Sequence, residues 1–276
     1  MSLKDKAILL VIDPQNDFCD PTKGSLYVNG ADKDMERLAT MVKNHGNDLK
    51  RIDVTLDSHH TVHIAHPIWW VNSKNEHPAP FTVISVDDVE KGVWRATTPA
   101  FQKWSLDYVR TLRDNKRYAL CIWPYHCLIG TPGANVYPVL GDALLEWEKK
   151  FRMVNYVPKG SSIFTEHYSA LRADVEFTGF DGIPADATTQ LNTPFIETFK
   201  TDYDILIAGE AIDFCVANTA RDIVGEMTDE QIKKLVLLED ASSAVNAPGL
   251  EHLKDDFINE MVGKGMRISK TTEYFN

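Results

Sequence analysis

The sequence predicts a three-layer α/β/α protein, with helices on both faces of a six-stranded, mainly parallel sheet. Three observations lead there. Short apolar runs recur along the chain and are continuous rather than alternating, which suits strands buried on both faces. Helical patterns lie between most of them, and strand alternating with helix implies parallel crossovers. The 276 residues are 43% hydrophobic and 25% charged, enough to build a full core.

In chain order, the strand runs are 7–13 (AILLVID), 51–57 (RIDVTLD), 118–123 (YALCIW), 153–158 (MVNYVP), 203–209 (YDILIAG) and 234–240 (KLVLLED). Residues 31–44 carry apolar side chains at helical i, i+3, i+4 spacing. A second helix is expected over 213–226 with Asp213 as its N-cap, and a third over 248–264, after Pro248 and ending near Gly263. Residues 64–117 break the pattern, with Pro, Asn and the tryptophans Trp69, Trp70 and Trp94 in no clean period. A structureless loop of that length is unusual. The segment is therefore read as a lid-like insertion with structure of its own, including a helix around 98–115, in a single domain spanning 1–276.

Composition narrows the function. A formal charge of -11 argues against nonspecific binding to nucleic acid or anionic membranes. No apolar run approaches the roughly 20 residues that span a bilayer. The N-terminus enters strand pattern at once, without the parts of a signal peptide, so a cytoplasmic location is expected. Cys19, Cys121, Cys127 and Cys215 form no CxxC pair, which argues against a zinc knuckle and for reduced thiols. The expected partner is a small molecule, and a homo-oligomer is left open.

In open parallel sheets, ligands bind at the carboxyl ends of the strands. Asp13, Asp57 with His59, His126, Lys159 and Cys215 all fall at or just past such ends. Core packing does not explain that coincidence, because Asp and Lys are rarely buried without partners. Cys215 opens a helix, where backbone N–H groups and the dipole favour a thiolate nucleophile; the competing reading is an inert core thiol. Asp13 in VIDPQNDFCD reads either as a proton acceptor for that thiol or as a turn residue before Pro14, and Asp17 is assigned to the turn. Lys159 reads either as a cation between thiolate and carboxylate or as a solvated loop lysine.

The stretch 55–66 (TLDSHHTVHIAH) holds one Asp and four His. Asp57 and His59 alternate just past a strand, so both side chains face one way. Carboxylate plus imidazole suits Zn, Fe or Mn, and His126 in WPYHC is the natural third ligand. Three protein ligands with open positions describe a catalytic or substrate-orienting metal, the alternative being a His-rich surface loop. His63 is a candidate fourth ligand, whereas His60 and His66 are read as spectators.

Together, AILLVIDPQNDFCD, TLDSHHTVH, WPYHCLIGTPGA, VPKGSS…EHYSAL and AGEAIDFCVANTA resemble, in this order, the nicotinamidase branch of the isochorismatase-like cysteine hydrolases. The resemblance runs from about residue 6 to about 245, the insertion excepted. It implies a Cys215–Asp13–Lys159 triad and one divalent metal, zinc first and Fe or Mn next, on Asp57, His59 and His126 with His63 near it. It also implies a cis peptide at Glu210–Ala211, an oxyanion hole from the N–H groups of Ala211 and Cys215, and a ring pocket lined by Phe18, Trp123 and Tyr168. The activity implied is hydrolysis of a small carboxamide, nicotinamide first, to the acid and ammonia through a thioester. A cysteine hydrolase acting on a ureido or carbamoyl compound is the nearest alternative. Isochorismatase lacks the nucleophilic cysteine and is further off, and a catalytically idle metabolite sensor would not need the intact triad. The sequence departs from the family in Glu210, where an apolar residue is common, and in the long insertion.

Overall fold

The computed structural model describes residues 7–246 and 249–276. Six strands form the main sheet: β1 (Ala7–Ile12), β2 (Leu49–Asp57), β3 (Asn155–Lys159), β4 (Asp204–Gly209), β5 (Leu235–Leu238) and β6 (Arg267–Ser269). Their spatial order is β3-β2-β1-β4-β5-β6, and every neighbouring pair is parallel. This is the doubly wound order that reverses direction between its first and fourth strands. β1 is fully buried, as its unbroken AILLVI run requires.

Helices flank the sheet. α1 (Ala31–His45) buries Met35, Leu38, Ala39, Met41 and Val42, the stripe that the sequence spacing sets, and packs on α3 (Pro138–Glu148). α2 (Gln102–Asp114) follows a short 3₁₀ turn at Pro99–Phe101, so the helix expected around 98–115 is present. α4 (Ala217–Gly225) and α5 (Leu253–Gly263) pack on each other. Among the described residues, no helix is long and apolar enough to cross a membrane.

Three expectations need correction. The run 118–123 is not a strand of the main sheet. Its Leu120–Cys121 pairs antiparallel with Val83–Ile84 of the insertion, and Pro124 ends the run one residue after Trp123. The sixth place in the sheet goes to β6, whose short RIS run gave no apolar signal. Asp213 does not cap the helix that follows it. It lies within a π-helical turn, Ile212–Val216, and its carboxylate accepts from the backbone N–H groups of Val245 and Asn246. The third helix begins at Leu253, and Pro248 lies outside the described residues.

The buried side chains of the insertion join the core of the main sheet. Trp69 stacks on Phe101 and donates to Ser105 Oγ at 3.0 Å. Trp70 is fully buried and donates to the Ile64 carbonyl at 2.7 Å.

Candidate active site

The strand reversal opens a crevice between β1 and β4. Register pairs Ile12 with Gly209, so Asp13 and the turn after Gly209 leave the sheet side by side. Only glycine fits there: φ is +112°, and a Cβ would lie 2.0 Å from the Ile12 carbonyl oxygen. The chain then passes the cis Glu210–Ala211 peptide into the π-helical turn that carries Cys215. On the other side of β1, Asp57 and Lys159 are register partners at the ends of β2 and β3. The parallel sheet thus brings four reactive side chains to one edge.

Lys159 is the hub. Its ammonium lies 3.0 Å from Asp13 Oδ2, 3.0 Å from Asp57 Oδ1 and 3.6 Å from Cys215 Sγ, and it donates to the His167 carbonyl at 2.8 Å. A lysine 4% exposed needs such partners, and the solvated-loop reading does not describe it. Burial opposes its charge, but Asp13, Asp57 and Cys215 outweigh burial and hold its pKa well above the ordinary lysine range. Asp13 is fully buried; Thr55 Oγ1 donates to its Oδ1 at 2.5 Å and receives its N–H at 3.0 Å. Burial raises the Asp13 pKa, with Lys159 opposing. Burial also pushes the Cys215 thiol well up; Lys159 pulls it back, while Asp13 and Asp57 push it further. The free site therefore holds a neutral thiol beside a proton acceptor, not the preformed thiolate that the helix position alone suggests.

Asp57 joins this group to a histidine cluster. Its Oδ2 lies 2.9 Å from His59 Nε2 and 3.3 Å from His126 Nε2. Burial works against the Asp57 carboxylate, but His59, Lys159 and His126 outweigh it and hold its pKa well below the usual range. His59 Nδ1 meets the Gly160 carbonyl at 3.1 Å, and His126 Nδ1 meets the Pro124 carbonyl at 2.8 Å. Both rings so turn Nε2 toward Asp57, the arrangement that backbone carbonyls impose on metal-binding histidines. Among the described residues, Asp57, His59 and His126 place one donor atom each within 4.8 Å of one another, a group able to hold a metal ion. His59 Nε2 is buried and, although 2.9 Å from Asp57 Oδ2, is not aligned to hydrogen-bond it; an ion at this point would give it a partner. The donor set fits a divalent transition metal.

His63 is less free than expected. Its Nε2 meets the Thr165 carbonyl at 3.0 Å, and its Nδ1 accepts from the Ala65 N–H at 3.2 Å. His66, read from sequence as a spectator, lies beside the cluster, its ring 5.3 Å from that of His59 and 5.7 Å from that of His126. Its Nδ1 meets the Thr61 carbonyl, and its buried Nε2 has no partner. His60 is exposed.

A narrow cavity opens onto Cys215 and Asp57. Phe18, Trp123 and Tyr168 all line it, together with His126, Ala211 and Phe214. Trp123 Nε1 donates to Tyr168 Oη at 3.0 Å, which fixes both rings. Glu166 also lines the cavity, and its Oε1 lies 4.0 Å from His59 Nε2. Sequence reasoning missed this carboxylate, although it sits two residues before Tyr168 in EHYSAL. No lining residue comes from the insertion.

No protein-family model matches the chain. It is 28% identical to the nicotinamidase/pyrazinamidase of Mycobacterium tuberculosis over 216 residues, 78% of this chain and 77% of that protein. Among solved structures, it is similar to an Acinetobacter baumanii nicotinamidase pyrazinamidase, with TM-score 0.63 and 22% identity over 97% of each chain. It is also similar to the pyrazinamidase of Pyrococcus horikoshii in complex with zinc, with TM-score 0.54 and 19% identity over 96% of this chain and 99% of that one. The chain is thus similar in sequence to curated nicotinamidases and shares its fold with solved nicotinamidase and pyrazinamidase structures.

Proposed function

We propose that this chain is a metal-containing cysteine amidase that hydrolyses a small carboxamide, nicotinamide first, to the carboxylic acid and ammonia. The carrying observation is Lys159, whose ammonium meets Asp13, Cys215 and Asp57, the last two of which line one aromatic cavity. Kinship with nicotinamidases supports the substrate class.

Phe18, Trp123 and Tyr168 hold a flat ring and keep water from its faces. Asp13 takes the Cys215 proton as Sγ attacks the carboxamide carbon. The N–H groups of Ala211 and Cys215 receive the oxyanion. Asp13 returns the proton to nitrogen, the C–N bond breaks and ammonia leaves a thioester on Cys215. Asp13 then takes a proton from water as its oxygen attacks the thioester carbon; the acid leaves and the proton returns to sulfur. Lys159 stays protonated and offsets negative charge on Asp13 and Cys215. Asp57, His59 and His126 would hold the metal, zinc by kinship with the zinc-bound neighbour, and Fe or Mn suits the same donors. Such an ion would supply Lewis acidity at the cavity wall, where it orients the substrate. A cytoplasmic setting accords with four free, buried cysteines. The insertion at 64–117 acts as a lid through Phe81, whose ring lies 5.8 Å from that of Trp123.

Ammonia release from nicotinamide, pyrazinamide and a set of ureido and carbamoyl compounds tests the reading. Wild type should release ammonia from nicotinamide and form a thioester adduct visible by mass spectrometry. Cys215→Ala should do neither while remaining folded. A Cys215→Ala protein with more than a few per cent of wild-type turnover, or release from the ureido compounds alone, overturns the assignment.

A further inference from the structure

Glu210 is fully buried and takes no part in the chemistry above. It stands between Gly209, the last residue of β4, and Ala211 on the cavity wall. Its Oε2 accepts from the Ser243 N–H at 3.1 Å, and its Oε1 is buried with no donor facing it. The carboxyl of Asp34, 2% exposed, on α1, shares Ser243 with it. Asp34 has donors of its own: Ser243 Oγ at 2.5 Å on Oδ2, and Arg37 on Oδ1. Among the described residues, no Lys, Arg or His pairs with Glu210. Two adjacent buried carboxyls with one cation between them do not both ionise, and a proton on one supplies the missing donor.

We propose that Glu210 and Asp34 share one proton, carried by Glu210, and that this protonated pair fixes the turn presenting Ala211 and Cys215. Groups face the pair from several elements. α1 gives Asp34 and Arg37; the segment after β1 gives the Cys19 thiol; the π-helical turn gives Asp213. Apart from Arg37, which is already on Asp34, these groups are acidic and favour a neutral Glu210. Burial first, then Asp34, raises the Glu210 pKa well above its ordinary value of 4.5.

The pair also holds the segment after β5. Ser243 donates to Glu210 and to Asp34, and its carbonyl accepts from the Ile212 N–H at 2.8 Å. Two residues on, Val245 lines the cavity and its N–H is bound by Asp213. Glu210 is thus a positioning residue. An apolar side chain here would leave the Ser243 N–H and Asp34 without this partner.

The proton is tested without turnover. Infrared difference spectra between wild type and Glu210→Gln at neutral pH should contain the C=O band of one protonated carboxyl. The sign of the pH linkage is fixed. The folded pKa lies above the unfolded one, so this contribution is full below pH 4.5 and is lost as pH rises toward the folded value. Wild type should therefore lose stability relative to Glu210→Gln, about tenfold in the folding constant per pH unit across that window. The effect on turnover rests on the amidase reading. Glu210→Gln, whose amide mimics the protonated acid, should keep wild-type kcat/KM at neutral pH within about twofold, whereas Glu210→Ala should raise KM. If Glu210→Ala does not fold, the spectrum and Glu210→Gln still decide. Absence of the band together with equal pH slopes overturns the shared proton. A protein with the band but no amidase activity leaves the pair standing and removes the proposed function instead.

Discussion

Lys159 Nζ lies 3.0 Å from Asp57 Oδ1, while Asp57 Oδ2 faces His59 and His126. One carboxylate therefore belongs both to the nucleophile's charge network and to the histidine cluster. β2 and β3 run parallel in register to their last residues, which makes these two side chains neighbours.

Removing the shared cation should damage both halves at once. Lys159→Met leaves Asp13 and Asp57 buried without their common partner. Loss of one member of a buried charge group costs about 3–5 kcal/mol. Turnover should fall by about 10³-fold or more, given the weight of such electrostatic groups. Urea denaturation and steady-state rates measure the two effects. A variant as stable as wild type with more than a tenth of its activity would contradict the network.

Metal retention should sort the histidines by their free nitrogens. His59→Ala and His126→Ala remove donors that face Asp57 and should lose the ion. His63→Ala should retain it, because both ring nitrogens of His63 are already engaged. His66→Ala should fall between, with affinity about 10–100-fold weaker, as for residues that support a site from outside. Elemental analysis and chelator competition give the order. Loss of metal in His63→Ala with retention in His59→Ala reverses the assignment.

Much of this was legible in the sequence, for a physical reason. Strand ends in a parallel sheet converge, so Asp13, Asp57 and Lys159 are marked by ending or following apolar runs, and Cys215 by opening the helix after one. His126 was singled out by the same rule on a mistaken strand, since 118–123 stands outside the main sheet. Its segment instead runs beside β2's exit, with Leu128 bridged to His59. Glu166 and His66 stayed hidden because loops place them, and loops have no period to read. β6 was missed because an edge strand of three residues, only partly buried, carries no apolar pattern.

Acid should destabilise the fold through His167. This ring is buried, and its Nδ1 accepts from the Gly160 N–H at 3.4 Å, so it must be neutral in the native state. Burial, with Lys159 adding to it, lowers its pKa from 6.5 to about 3. The folded value lies below the unfolded one. Its contribution is therefore full above pH 6.5 and is lost as pH falls toward 3. Each such group adds a slope of about 1.4 kcal/mol per pH unit within the window. His167→Gln keeps an acceptor without a titration and should flatten the wild-type slope by about one proton. Equal slopes from chemical denaturation at stepped pH would show that His167 does not titrate on unfolding.

The insertion should separate into a structural part and a gating part. Trp69 and Trp70 are buried in the core and do not line the cavity, so Trp70→Ala should cost stability, about 3–5 kcal/mol, and leave substrate preference unchanged. Phe81 differs. It is 41% exposed and meets the cavity-lining Trp123 edge-on. An aromatic pair of this kind is worth about 0.5–1.5 kcal/mol, or roughly 2–10-fold in rate. Phe81→Ala should therefore change the kcat/KM ratio between nicotinamide and bulkier amides within that range, with little loss of stability. Relative rates across a series of pyridine and pyrazine carboxamides supply the measurement. If Phe81→Ala keeps the wild-type ranking and Trp70→Ala alters it, the gate lies in the insertion's interior packing and not at its contact with Trp123.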